Sequence, residues 1–235
     1  MALDQNELKR AAAAKAVEFV TDGMKLGLGT GSTAEIFLEL LAARVRGGLN
    51  VIGTATSERT AEKARSLGIA LAALDDLAPL DLTIDGADEA DRRLNLIKGG
   101  GGALLREKIV AASSNRMIVI ADKSKLVPRL GRYPLPIEVL EFGQKTTAQR
   151  IAETLAGLGY GRVPVTLRGR NGLTFISDSG NLIYDCELSA ITSPPKLAAA
   201  LSVIPGIVEH GLFIGMATTL IIAHPRKIQV IEKAK

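Results

Sequence analysis

The sequence is poor in aromatic residues, cysteine and histidine. Aromatic residues make up 3% of the 235 residues, Trp is absent, and Cys186 is the only cysteine. One cysteine excludes an internal disulfide, and the first ten residues are too polar for a signal peptide, so we expect a cytoplasmic protein. The two histidines, His210 and His224, lie in apolar stretches. We expect both to be structural, and we expect no metal site.

The sequence also lacks long apolar runs and a strong excess of either charge. The most apolar run, residues 211–223, is interrupted by two Gly and two Thr. It is far shorter than the roughly 20 residues of a membrane helix. The 29 Lys and Arg against 25 Asp and Glu give a net charge of +4, with the basic residues scattered along the chain. Nucleic-acid binding needs a basic stripe with stacking aromatics or a reading helix. We therefore expect neither membrane nor nucleic acid as a partner.

Small and aliphatic residues are abundant, with 47% hydrophobic residues and 24 Gly. This composition is typical of helices packed on a parallel sheet. Over the first 130 residues short apolar runs alternate with helical periodicity, and crossovers of this length imply parallel strands. We predict strands near 25–29, 51–55, 69–72, 81–84 and 117–121, and helices near 4–21, 34–46, 57–67 and 103–112. Asp4 with Glu7 resembles a capping box at the start of the first helix, and Ser57 is the predicted N-cap of the third.

The pattern changes after Gly131. Proline, glycine and turn signals there indicate shorter elements of mixed type. We predict a strand at 137–140, a helix at 146–158, a hairpin over 172–188 that turns at 179–181, a helix at 194–205, and returning strands within 207–214, 218–223 and 228–231. The predicted fold class is α/β, a Rossmann-like wound, mostly parallel sheet with a smaller inserted α+β domain. We assign 1–131 plus 207–235 to the sheet domain and 132–206 to the small domain.

A glycine-rich turn follows the first predicted strand, with the sequence Gly-Thr-Gly-Ser-Thr at 29–33. Glycines allow close backbone approach, and the N-terminus of the next helix offers free N–H groups and partial positive charge. The hydroxyls of Thr30, Ser32 and Thr33 flank Gly31 and add donors, so we predict a phosphate site. A tight turn capped by Ser and Thr is the alternative.

The same turn also fits the G-x-G-x-x-A spacing of dinucleotide-binding enzymes. An NAD site needs an acidic residue at the end of the following strand. That strand ends in Thr-Ala-Thr-Ser at 54–57, and hydroxyls there suit a second phosphate contact better. An NAD-dependent dehydrogenase stays an alternative on this motif alone.

Carboxylates follow another apolar stretch, in Asp-Gly-Ala-Asp-Glu at 85–89. Asp85 and Asp88 then lie at the carboxyl end of a strand, where open α/β sheets bind ligands. Such carboxylates can bind Mg²⁺ or exchange protons with sugar hydroxyls. A solvated turn is the alternative, and the lack of a nearby His disfavours metal.

Four consecutive glycines, 99–102, separate Lys98 from a helix that carries Glu107. Such a run is unfavourable unless the backbone must approach a ligand. Lys98 can stabilise an oxyanion and Glu107 can act as a base, whereas a solvated helix face is the alternative for Glu107. The segment Asp-Lys-Ser-Lys at 122–125 adds cations at one more strand end, with a solvated loop as its alternative.

Together, the motifs at 29–34, 56–60, 85–89, 98–108 and 122–125 closely resemble the A-type ribose-5-phosphate isomerase family, in order along the chain. The resemblance implies interconversion of D-ribose 5-phosphate and D-ribulose 5-phosphate in the non-oxidative pentose phosphate pathway. It also implies that no metal or organic cofactor takes part, and that the chain forms a homodimer or a dimer of dimers.

By position, the resemblance implies that Glu107 is the catalytic base and that Asp85, Asp88 and Lys98 are hydroxyl and oxyanion partners. It implies a phosphate loop at Thr30 to Thr33. The further substrate contacts that it implies are Gly86, Ala87, Gly99, Gly100, Gly101, Lys125 and Lys9. A sugar-phosphate sensor without catalysis is the non-enzyme alternative. Such regulators normally carry a DNA-reading helix pair, whereas one helix precedes the first strand here.

Overall fold

The structure is a computed structural model that describes residues 4–170 and 172–233. Its α-helices are α1 (Gln5–Val17), α2 (Ser32–Arg46), α3 (Glu58–Ser66), α4 (Leu74–Leu77), α5 (Leu104–Ala112), α6 (Gln144–Leu155) and α7 (Pro194–Ser202). Its strands are β1 (Lys25–Leu28), β2 (Ile52–Ala55), β3 (Ala70–Leu71), β4 (Leu82–Asp85), β5 (Glu89–Ala90), β6 (Leu96–Ile97), β7 (Met117–Asp122), β8 (Leu135–Val139), β9 (Val165–Leu167), β10 (Gly169–Arg170), β11 (Leu173–Thr174), β12 (Leu182–Cys186), β13 (Ile207–His210), β14 (Leu212–Phe213), β15 (Thr219–His224) and β16 (Lys227–Glu232).

A seven-stranded sheet forms the centre of the molecule, in the order β16-β15-β7-β4-β1-β2-β3. Its strands run parallel except at the edge, where β15 and β16 are antiparallel. Every residue of β4 and β7 is buried, as expected for parallel strands covered on both faces. The predicted wound, mostly parallel sheet is confirmed, and the carboxyl ends of its parallel strands share one edge.

Helices α1 and α2 cover one face of this sheet. Phe37 of α2 packs with Leu26 and Ile84 of the sheet, and all three are fully buried; each such side chain contributes roughly 1.5–3 kcal/mol of burial energy. A capping box opens α1, because the Asp4 side chain accepts from the Glu7 N–H and the Glu7 side chain accepts from the Asp4 N–H. The helix was predicted to reach about residue 21 but ends at Val17.

A second, four-stranded antiparallel sheet has the order β13-β8-β12-β9. Its core includes Ile137 from β8, Ile151 from α6 and Leu197 from α7. The sequence predicted that the strands after residue 206 return to the main sheet, which is correct for β15 and β16 but wrong for β13 and β14. β14 pairs with β6 in a small three-stranded sheet, β14-β6-β5. The four residues between α7 and β13 are too few to cross back, so β13 joins the exposed edge of β8. The domain division at residues 131 and 206 stays a prediction.

The predicted hairpin over 172–188 is shorter in the structure. Its turn is present, because the Gly180 N–H donates to the Ser177 carbonyl at 2.9 Å and the Ser177 N–H to the Asn181 carbonyl at 2.9 Å. Beyond the Ile176–Leu182 bridge, however, β12 pairs with β8 and β9. Within the described ranges, no helix has the length and apolar character needed to span a bilayer.

Candidate active site

One cleft lies over the carboxyl ends of β1, β4 and β7, beside the glycine run and the start of α5. Fourteen of the residues singled out from the sequence line it: Lys9, Thr30, Gly31, Ser32, Thr33, Gly86, Ala87, Asp88, Lys98, Gly99, Gly100, Gly101, Glu107 and Lys125. Parallel strands deliver these loops to the same edge of the sheet, where α/β folds bind ligands.

Lys98 is the centre of the charged part of the cleft. Its ammonium lies 2.9 Å from Asp85 Oδ2 and 3.2 Å from Glu107 Oε1, and it donates to the Gly86 carbonyl at 2.7 Å. Burial alone would lower the pKa of Lys98, but the neighbouring carboxylates outweigh burial and hold that pKa above its ordinary value. The side chain therefore stays an ammonium, although only 2% of it is exposed.

Glu107 lies in the first turn of α5 and is 4% exposed. Its Oε2 atom has no hydrogen-bond partner among the described residues. Burial raises the pKa of Glu107 to about 8; Lys98 opposes this rise, and the charges of Asp85 and Asp88 add to it. A carboxyl with this pKa can both accept and release a proton near neutral pH.

Asp85 does not line the cleft, unlike the other residues predicted from the sequence. It is fully buried, and its Oδ1 accepts from the N–H groups of Thr30 at 3.0 Å and Gly86 at 2.7 Å. Burial raises the pKa of Asp85 against the opposing charge of Lys98. A Cβ atom at Gly29 would lie 2.2 Å from Asp85 Oδ1, so glycine at 29 is what allows this carboxylate to sit under the turn.

The glycine run wraps around Asp88. The Gly100 N–H donates to Asp88 Oδ2 at 2.7 Å. Gly99 and Gly102 have φ of +102° and +82°, in the left-handed region that favours glycine. A Cβ at Gly100 would lie 2.5 Å from Asp88 Oδ1. The run is therefore needed both for its backbone conformation and for its close approach to a carboxylate.

The predicted phosphate loop opens α2 at the other end of the cleft. Gly31 is the N-cap, with φ of +111°, and among the residues that the structure describes no side chain caps the helix. The N–H groups of the first turn are thus available to an anion, together with the hydroxyls of Ser32 and Thr33. The Lys9 ammonium donates to Ser32 Oγ at 3.0 Å, which brings a positive charge from α1 to the same place.

The segment 54–57, where the sequence suggested a second phosphate contact, does not line the cleft, and its Thr56 and Ser57 hydroxyls bond within the protein together with that of Thr60. Thr56, Ser57 and Thr60 are buried, and their oxygens lie 2.7, 2.8 and 3.0 Å from Thr30 Oγ1. Ser57 also caps α3, as predicted. These three hydroxyls hold the Thr30 side chain in place, and their hydrogen bonds are made within the protein rather than to a ligand.

The segment after β7 is ordered by its own aspartate. Asp122 Oδ1 accepts from the Ser124 N–H at 2.8 Å, and Gln5 of α1 lies 3.4 Å from Oδ2. Burial would raise the pKa of Asp122, but the hydrogen bonds from Ser124 outweigh it and the pKa falls below its ordinary value. Lys125 follows and faces the cleft, with its ammonium 5.9 Å from the centre of the Tyr133 ring.

Comparison with known proteins agrees with this geometry. The profile of the family described as Ribose 5-phosphate isomerase A (phosphoriboisomerase A) matches residues 52–227. The chain belongs to this family. Ribose-5-phosphate isomerase A of Rhodopseudomonas palustris (strain BisA53) is 58% identical over 231 residues, which cover 98% of this chain and 96% of that protein. The protein of strain BisB18 is 58% identical over 233 residues, 98% of this chain and 100% of the relative.

Solved isomerases share the whole fold. Ribose 5-phosphate isomerase from Plasmodium falciparum superposes with a TM-score of 0.92 at 38% identity, covering 98% of this chain and 100% of that one. A D-ribose-5-phosphate isomerase in complex with phospho-erythronic acid superposes with a TM-score of 0.91 at 36% identity, with the same coverage. The chain is accordingly an isomerase that interconverts D-ribose 5-phosphate and D-ribulose 5-phosphate. The dehydrogenase and sensor alternatives therefore lose their support.

Sequence reasoning missed three residues next to strands β8, β9 and β11 that contact the glycine run of this isomerase. Arg168 donates to the Gly99 carbonyl at 2.8 Å, the Tyr133 hydroxyl lies close to Gly100, and the Phe175 ring packs over Gly102. Burial and the charge of Asp88 raise the pKa of Tyr133. No local signal identifies these residues, because only the pairing of distant strands brings them to the glycine run.

The donor set around the cleft suits an ammonium rather than a metal ion. Within residues 4–170 and 172–233, no group of three or more His, Cys, Asp or Glu is placed to hold a metal. The Lys98 ammonium occupies the position between Asp85 and Glu107 that a cation would take.

Proposed function

We propose that this isomerase moves one proton between C1 and C2 of an open-chain pentose phosphate through a cis-enediolate, with Glu107 as the proton carrier. The observation that carries the proposal is the 3.2 Å approach of the Lys98 ammonium to Glu107 Oε1 within the cleft. A base and an oxyanion partner thus meet the same pair of carbons.

Binding of the phosphate group sets the position of the substrate along the cleft. The uncapped N-terminus of α2, the hydroxyls of Ser32 and Thr33, and the Lys9 ammonium offer donors and positive charge to a phosphate. Glu107 and Lys98 line the same cleft, so a bound phosphate ester presents its carbonyl end to them. Holding both ends converts the encounter of sugar and base into an intramolecular reaction.

In the conversion of aldose to ketose, Glu107 Oε2 takes the proton from C2. The electron pair of the broken C2–H bond forms the C1–C2 double bond, and the carbonyl oxygen becomes an enediolate oxygen. Lys98 and backbone N–H groups of the glycine run stabilise that charge. Glu107 then returns its proton to C1, where the electrons of the C1–C2 double bond form the new C–H bond. Asp88 takes the O2 proton and delivers it to O1, so that O2 becomes the ketone oxygen and O1 becomes the C1 hydroxyl. A positioned base of this kind is typically worth ~10²–10⁴ in rate.

The two aspartates take different roles in this proposal. Asp88 lines the cleft and exchanges the hydroxyl protons of the substrate. Asp85 is buried beneath Lys98 and positions the ammonium. This assignment replaces the direct substrate contact that the sequence suggested for Asp85.

A ligand of a related isomerase supports the two-ended arrangement. Phospho-erythronic acid, found in that structure, carries a phosphate at one end and a carboxylate at the other. We propose that it binds this chain with its phosphate at α2 and its carboxylate against Lys98, as a mimic of the enediolate oxygens.

The remaining expectations concern the location, pathway, assembly and cofactors of the enzyme. We propose that it works in the cytoplasm, in the non-oxidative pentose phosphate pathway, as a homodimer or a dimer of dimers, and without metal or organic cofactor. Sedimentation equilibrium tests the assembly, and a monomer at micromolar concentration would contradict it.

The reaction is tested by incubating the purified protein with ribose 5-phosphate in heavy water containing EDTA. We expect NMR to show ribulose 5-phosphate with deuterium at C1, because the proton on Glu107 exchanges with solvent in part of the turnovers. Loss of activity under chelation would contradict the metal-free mechanism. Turnover of Glu107→Gln near the wild-type rate would contradict the role of Glu107.

A further inference from the structure

Arg168 contacts the outer side of the glycine run. Its Nη1 donates to the Gly99 carbonyl at 2.8 Å and lies 3.4 Å from the Gly100 carbonyl. Its Nε and Nη2 donate to the two carboxylate oxygens of Asp185 on β12. Only 13% of the Arg168 side chain is exposed, so the guanidinium is held in a fixed orientation by a two-bond ion pair.

Through the geometry of the peptide group, the Arg168 contact determines which N–H groups point into the cleft. In a trans peptide the carbonyl and the following N–H point in opposite directions. Carbonyls of Gly99 and Gly100 that face Arg168 therefore turn the N–H groups of Gly100 and Gly101 toward the opposite side. The first of these donates to Asp88 Oδ2 at 2.7 Å, and the second has no acceptor among the described residues. Gly101 lines the cleft.

The charges of Arg168 and Asp185 favour the same orientation of these two peptide groups. The guanidinium attracts the negative ends of two peptide dipoles, so their positive ends face the cleft. Asp185 neutralises the guanidinium itself, which leaves oriented dipoles rather than a free cation behind the glycine run. Such fixed dipoles stabilise developing negative charge without reorganisation during the reaction.

We propose that Arg168 is a positioning residue of the isomerase, which orients the Gly100 and Gly101 N–H groups toward Asp88 and the enediolate oxygen. This inference rests on the proposed roles of Glu107 and Lys98. Arg168 acts through the glycine backbone and makes no contact with the phosphate end. Its loss therefore affects the rate of the chemical step and not the capture of the substrate.

The test compares Arg168→Met with Arg44→Met as a matched control. Arg44 also donates through Nη1 to two backbone carbonyls, those of Val17 and Val20 at 2.8 Å each, but it lies outside the cleft. Loss of one oxyanion donor typically lowers kcat by ~10²–10³, and a donor that is only misdirected retains part of its effect. For Arg168→Met we expect kcat to fall ~10–100-fold while KM and the inhibition constant of inorganic phosphate stay within about threefold.

Arg44→Met is expected to keep kcat within twofold of the wild type. Arg168→Lys is expected to recover part of the rate, because an ammonium can still donate to one carbonyl. Asp185→Asn, which loosens the guanidinium, is expected to lose kcat in the same direction. If Arg168→Met does not fold, Arg168→Lys and Asp185→Asn test the proposal by the same criterion, a fall in kcat with KM nearly unchanged.

A kcat of folded Arg168→Met or Asp185→Asn within twofold of Arg44→Met would overturn the inference. An equal change in kcat, KM and phosphate inhibition would also overturn it, since that pattern indicates general damage to the cleft. Glu107→Gln is measured alongside. Normal turnover of that variant would instead reject the proposed function, so the two failures are distinguishable.

Discussion

Replacing Glu107 by Gln is expected to raise the stability of the fold while it removes catalysis. Asp85, Lys98 and Glu107 bury two potential negative charges around one positive charge, with Lys98 2.9 and 3.2 Å from the two carboxylates. Glutamine keeps the size of the side chain and leaves Lys98 paired with Asp85 alone. The net buried charge then falls from −1 to zero at high pH, which relieves desolvation and repulsion.

The magnitude follows from the pKa of Glu107, which rises from its ordinary 4.5 to about 8, mainly through burial. Each tenfold change in proton affinity is worth about 1.4 kcal/mol, so the ionised side chain costs the folded state at most about 5 kcal/mol. The cost is absent below pH 4.5, grows as the pH rises toward 8, and is complete above pH 8. The gain in the free energy of unfolding of Glu107→Gln therefore increases with pH over that window.

The assay combines urea unfolding at pH 5 and pH 9 with turnover of ribose 5-phosphate. We expect Glu107→Gln to gain stability mainly at pH 9 and to lose ~10²–10⁴ in kcat. The control is Glu39→Gln, since Glu39 forms an exposed ion pair with Lys63 at 2.9 Å. Such pairs contribute about 0–1 kcal/mol to stability, so the stability of that variant changes little. Its kcat stays unchanged, because Glu39 lies outside the cleft. A Glu107→Gln protein that is less stable than the wild type at pH 9, or that turns over within tenfold of it, would refute the reasoning.

Three further predictions concern pH, the phosphate loop and the buried turn. Because the raised pKa of Glu107 is about 8 and the base must be ionised, kcat/KM should rise with pH through a midpoint near 8; a flat profile from pH 6 to 9 in stopped-flow assays would contradict this. Thr33→Ala should raise KM ~3–10-fold with little effect on kcat, since its hydroxyl serves uniform binding of the phosphate, and an unchanged KM would count against the loop. Gly29→Ala should destabilise the protein by more than about 2 kcal/mol in urea unfolding, because its Cβ would lie 2.2 Å from Asp85 Oδ1; wild-type stability would show that the turn can shift.

Local patterns predicted those parts of the fold and the site that are determined within a few residues. The capping box of α1 and the Ser57 cap of α3 depend on side chains one turn away, and both are present. Strand-then-loop motifs placed Thr33, Asp88 and Lys125 in one cleft, because parallel strands end at one edge of a sheet.

Features set by long-range pairing could not be predicted in the same way. β13 joins the small sheet because β8 offers an edge close to the end of α7, which no periodicity records. Arg168 reaches Gly99, 69 residues away, through the pairing of β9 with β12. Asp85 was expected in the cleft, but the Gly29 turn closes over it. Its burial depends on packing rather than on its position after a strand.

Single-turnover transfer of an isotope tests the central claim most directly. Ribose 5-phosphate labelled with deuterium at C2 is mixed with excess enzyme, and mass spectrometry follows the label in ribulose 5-phosphate. Because Glu107 is 4% exposed, the account predicts that part of the label reaches C1 before it exchanges with water, and that Glu107→Gln abolishes this transfer. Complete loss of the label at the earliest times, or equal transfer by the variant, would contradict a single sheltered carboxylate as the proton carrier.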